Sequence, residues 1–95
     1  MQFRQPTLST EEAESLAIKG LQHIAGNNEL LSRFLALSGI DPRDLRQAAN
    51  SPAFLSGVMD FFMGDEPALL AFAASIGEAP ETIAAARAAL SHDSQ

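Results

Sequence analysis

Five short breaks constrain this chain more than any other feature: GNN at 26–28, GIDP at 39–42, NSP at 50–52, GDEP at 64–67 and GEAP at 77–80. Most join a residue that ends one helix to a residue that starts the next. Glycine adopts the left-handed conformation just past a helix end without a Cβ clash. Asn, Asp and Ser side chains accept hydrogen bonds from the free amides of a first helical turn. Proline in that turn gives up an amide that had no partner there. Between the breaks, Ala, Leu, Glu, Arg and Gln dominate, β-branched residues are few, and nothing alternates with a strand's period of two. The sequence therefore predicts an all-α domain of about six short helices.

Their limits follow from the punctuation. Ser9 and Glu12 form a capping box, so the first helix starts there and runs to about Ala25. A second spans about Asn28 to Ser38, and a third opens at Asp41-Pro42. Ser51-Pro52 opens a fourth that ends at Gly64, and Asp65-Glu66-Pro67 a fifth that ends at Gly77. Pro80 opens a sixth, through about Leu90. Residues 1–8 and 91–95 read as frayed tails of a single domain covering 1–95.

The breaks also recur. On a shift of 38 residues Gly26 meets Gly64, Leu31 meets Leu69, Phe34 meets Phe72, Gly39 meets Gly77 and Pro42 meets Pro80. Upstream, Leu16, Leu21 and Ile24 fall on Phe54, Met59 and Phe62. The chain reads as two similar three-helix units, about 13–50 and 51–88. Helices of similar length impose similar punctuation, which is the plainer explanation. Two glycines and a proline in register favour duplication.

Charge narrows the range of partners. The chain holds 12 acids against 6 Lys and Arg, a net charge of −6, and residues 50–95 carry Arg87 as their one base. A phosphate backbone needs clustered cations, so a nucleic-acid partner is not expected. No apolar run approaches the ~20 residues of a membrane span, and there is no secretory leader pattern at the N-terminus. The expectation is a soluble, cytoplasmic protein. With no cysteine, thiolate chemistry and disulfides are excluded.

No catalytic constellation emerges. GIDP is a poor phosphate cradle, because Pro42 removes an amide and Asp41 repels the anion. Asp60, Asp65 and Glu66 lack the alternating oxygen ligands of a calcium loop, and no metal or cofactor is expected. His23 borders the apolar face of the first helix without a nucleophile in local register; a small enzyme or ligand binder using it is the weaker reading.

The stretch FLSGVMDFFM, 54–63, is the most informative. On a helical wheel its Phe, Leu, Val and Met residues cover about 200°, wider than the stripe of an ordinary surface helix. Either the helix is central to the core, or part of that face meets a partner. In the second case Phe54, Val58, Phe61, Phe62 and Met63 are the contact candidates, with Arg43 and Arg46 as a charged docking point. The leading expectation is a non-enzymatic interaction or adaptor module; a homodimer that buries the same face is the alternative.

The pieces RFLALSGI, DLRQAA, PAFL, VMDFF and DEPALLAFA, within a similarity running from about Glu14 to Leu90, resemble a family of small, mainly alphaproteobacterial proteins. That family is known as a domain of unknown function. The resemblance implies a short, stand-alone, all-helical cytoplasmic protein. It implies no activity and supplies no catalytic residues.

Overall fold

A computed structural model describes residues 8–93, with side chains described through Leu90. It contains six α-helices: α1 (Thr10–Ala25), α2 (Asn28–Ser38), α3 (Leu45–Ala48), α4 (Pro52–Met63), α5 (Glu66–Ile76) and α6 (Pro80–Asp93). A single 3-10 turn, Pro42–Asp44, leads into α3. No strand occurs among the described residues, and the fold is all-α. Apart from Leu8 and the helical backbone of 91–93, the expected frayed tails lie outside the described residues.

Local chemistry fixes the helix ends. The Ser9 amide donates to Glu12 Oε1 at 2.9 Å and the Glu12 amide donates to Ser9 Oγ at 3.1 Å, completing the capping box. Asn27 Oδ1 accepts from the amides of Glu29 and Leu30 at the start of α2. Ser51 Oγ does the same for Phe54, and Asp65 Oδ1 for Ala68. Gly39 and Gly77 close α2 and α5 with φ of 71° and 69°, a backbone geometry that other residues adopt at a steric cost.

The third helix departs from expectation. Asp41 caps as predicted, accepting from the Arg43 amide at 2.8 Å, but what it starts is a 3-10 turn. The α-helix that follows has 4 residues. Proline forces its predecessor out of the helical region, and Ser51 is accordingly extended (φ −97°, ψ 121°) ahead of Pro52. At the other end, α6 runs three residues past the expected stop at Leu90.

Packing is organised around α1, α4 and α6. The last of these lies across the first two, α2 packs on α1, and α5 packs on α4 and α6. Their shared core holds Leu16, Ile24, Phe34, Leu55, Val58, Met59, Phe62, Phe72, Ile83 and Leu90, all buried. The rings of Phe62 and Phe72 stack with centroids 4.7 Å apart and planes 20° from parallel. Gly20 of α1 faces this stack: a Cβ built there would sit 2.9 Å from Phe62 Cε2 and 3.0 Å from the Met59 methyl. Close approach of α1 to α4 thus depends on the absence of a side chain.

The 38-residue offset has geometric correlates. Shifted by 38, α2 and α5 have the same limits, their N-caps Asn27 and Asp65 coincide, and so do their left-handed glycines. Burial follows: Ala17, Gly20, Leu21 and Ile24 in α1 answer to Leu55, Val58, Met59 and Phe62 in α4. The correspondence ends at the third helix, 4 residues in one half and 14 in the other.

Candidate functional site

Helix α4 resolves into a buried face and a partly open one. Val58 and Phe62, both expected as partner contacts, are 0% exposed, because α1, α5 and α6 close over that side. They belong to the core. Met63 is 36% exposed at the helix end and does not line the groove that Phe54 and Phe61 share. Phe54 and Phe61 are half-buried and share one partner, Phe34 of α2, in edge-on contacts of 5.7 and 5.5 Å between centroids. Edge-on geometry sets the positive ring edge against a negative ring face.

Those rings form one side of an apolar groove of about 410 Å³ between α2 and α4. Leu37 and Ser38 wall it from α2, and Ala53, Gly57 and Asp60 from α4. Leu37 is 77% exposed, the most exposed large apolar side chain among the described residues. Sequence reasoning missed it. Three residues after Phe34 and seven after Leu30, it lies on the apolar side of α2, and periodicity gives no sign that no helix covers it. Gly57, three residues after Phe54 and four before Phe61, leaves a notch in the same helix face.

Charges flank the groove in pairs. Arg87 Nε donates to Asp60 Oδ1 at 2.6 Å. The Arg33 guanidinium lies 6.0 Å from the Phe61 ring centroid, and its Nη1 is 2.6 Å from Asp65 Oδ2. That contact is an ion pair with the Arg33 side chain half exposed. Arg43 and Arg46, the expected charged docking point, do not line the groove. Arg43 is turned back on its own cap, donating to both Asp41 oxygens at 3.2 and 3.0 Å. This pairing is the main reason the Asp41 carboxyl is held below its ordinary range, with the Arg43 amide contributing next.

His23 lies elsewhere, with Asn27, Glu29, Arg33 and Asp65 around a shallow depression. Its ring rests against Phe72 and Phe62 at centroid distances of 5.5 and 6.1 Å. No carboxylate among the described residues hydrogen-bonds the imidazole, and Asp65 is committed to the α5 cap and to Arg33. Among the described residues no three His, Cys, Asp or Glu side chains cluster as a metal site would require. Nor is any described helix long and apolar enough to cross a membrane.

Residues 10–93 match the family described as a protein of unknown function, DUF3572. The chain belongs to that family. No curated protein and no solved structure matches it. The match extends from the first residue of α1 to the last of α6, so family membership covers the groove, the buried face of α4 and the His23 depression alike.

Proposed function

We propose that this member of the family is a non-enzymatic protein-interaction module that receives its partner in the α2–α4 groove. The observation that carries the reading is Leu37, 77% exposed in the wall of a groove lined by aromatic rings. We also read the two halves as a duplicated unit, and the α1–α5 side, which answers to the α2–α4 side at the 38-residue offset, then serves as an internal control. At the 38-residue offset, Leu37 corresponds to Ser75, Gly57 to Lys19, Asp60 to Gln22 and Phe61 to His23. The same helical frame accepts polar residues at these places. Apolar exposure on the α2–α4 side is thus not a demand of the architecture, and contiguous exposed apolar surface is what interfaces use. A bacterial cytoplasm fits the absence of cysteine and the resemblance noted above.

A photo-crosslinking amino acid in place of Leu37, compared with the same group in place of Ser75, tests the proposal in cells that express the chain. The expected result is a protein adduct from position 37 that is missing from position 75. Lack of any adduct at 37, or identical adducts from both positions, refutes it.

A further inference from the structure

Gly57 sits in the interior of α4, where glycine weakens a helix relative to alanine. Internal packing does not ask for it: a Cβ built at Gly57 meets nothing within 4 Å. Gly20 is the contrast, since a Cβ there strikes Phe62 and Met59. The bare backbone at 57 therefore serves space outside the molecule. It lies between Phe54 and Phe61 in the groove wall, with Leu37 facing from α2. Gly57 thus leaves open space for a side chain from outside, in a groove between two helices.

Charge indicates what fills it. Of the arginines, Arg33, Arg43 and Arg87 are each held by an acid of the same chain. These pairs cancel, and the net charge of −6 that remains over the whole chain gives it a negative field toward an approaching surface. Within the groove the one charged wall residue is Asp60, with a 52% exposed side chain. Among the described residues its carboxylate accepts a hydrogen bond from Arg87 alone, through Oδ1, so Oδ2 is open to an incoming ammonium or guanidinium. Two acidic copies of this chain would repel each other, which disfavours a second copy as occupant. Among the described residues no sheet edge exists to pair with an extended strand, whereas a groove between helices accepts the apolar face of a third.

We propose that the groove binds a cationic amphipathic helix of another protein. One large apolar side chain of that helix seats over Gly57 between Phe54 and Phe61, and a Lys or Arg on its flank meets Asp60. This rests on the interaction reading above and adds the chemistry of the partner.

The chain has no Trp and no Tyr, so the emission of a Trp-bearing probe reports binding without background. Two synthetic amphipathic peptides of about 18 residues, or roughly 27 Å of helix, share a Leu face with one Trp. One carries Lys on its polar face and the other Glu. The expected result is that the Lys peptide binds the whole protein about tenfold or more tightly at low salt, with the ratio shrinking as salt rises. Gly57→Gln is expected to weaken the Lys peptide by about tenfold or more while the melting temperature holds or rises, since the added side chain occupies the notch. Asp60→Asn is expected to narrow the Lys-to-Glu ratio.

Equal binding of the two peptides, tighter binding of the Glu peptide, no binding of either, or indifference to Gly57→Gln would each overturn the proposal. So would sedimentation showing a dimer that Gly57→Gln dissolves, which would make a second copy the occupant. An adduct at position 37 whose attached segment is not a basic helix would sink this inference and leave the interaction reading standing. Absence of that adduct sinks both.

Discussion

Replacing Gly20 by alanine adds one methyl group to a helix interior, a change that on an open helix face stabilises. The gain from helix propensity is about 1 kcal/mol. Here the new Cβ lies 2.9 Å from Phe62 Cε2, 3.0 Å from Met59 Cε and 3.5 Å from Phe72 Cε2. The methionine methyl ends a flexible chain and can swing aside. Phe62 cannot, because it is fully buried and already stacked on Phe72. Forcing a methyl into such a site costs about 1–3 kcal/mol. Taking the middle of that range, Gly20→Ala loses about 1 kcal/mol net, or about 4–8 °C of melting temperature for a domain of this size. Gly57→Ala, with open space around the added atom, should gain about 0.5–1 kcal/mol instead. Urea titration followed by circular dichroism reads both variants, and an unchanged m-value would show that the shift is one of stability. If Gly20→Ala melts at or above the wild-type temperature, the close packing of α1 on the Phe62–Phe72 stack is not what the glycine serves.

Other substitutions probe separate parts of the argument. Ala79 precedes Pro80 where Asp41 precedes Pro42, so Ala79→Asp should add a missing cap to α6; thermal melts should show a gain of about 0.5–1 kcal/mol. Leu90, fully buried, should lose about 2–5 kcal/mol on truncation to alanine, whereas Leu37→Ser should change stability by about 0.5 kcal/mol or less. The Glu12 carboxyl is held below its ordinary 4.5, first by the Ser9 amide and then by the Ser9 hydroxyl. A carboxyl lowered in the folded state contributes its stability above the ordinary value and loses it as pH falls through the folded one. Melts between about pH 5 and pH 2 should therefore decline less steeply for Glu12→Gln than for wild type.

Much of this fold is legible because helix ends are chemically local. A cap and its amide are two or three residues apart, so Ser9, Asn27, Ser51 and Asp65 declare their helices without reference to the rest of the chain. The short α3 was less visible, since Pro42 and Pro52 compete for the same ten-residue interval and only geometry shows how little helix fits between them. Helix α4 marks the wider limit. Its apolar arc is plain in the sequence, but Val58 and Phe62 differ from Phe54 and Phe61 only in which neighbours arrive to cover them. Leu37 shows the same limit from the other side: its periodic position is that of a core residue, and its exposure reflects a helix that is not there. Arg43 and Arg46 looked alike in sequence, yet the first is spent on its own cap.

Helix α6 is the last to be made, and Ile83, Ala86 and Leu90 along it are fully buried against α1 and α4. During translation the face of α1 that it covers must wait for residues 80–90 to leave the ribosome. At about 5–20 residues per second, the roughly 70 residues from the start of α1 to the start of α6 take on the order of 4–14 s. For that interval the faces of α1 and α4 that α6 covers stay open, although α2 and α5 can already pack against these two helices. Closure of the α1 and α4 faces thus waits on α6, and until then those faces are open to misassociation.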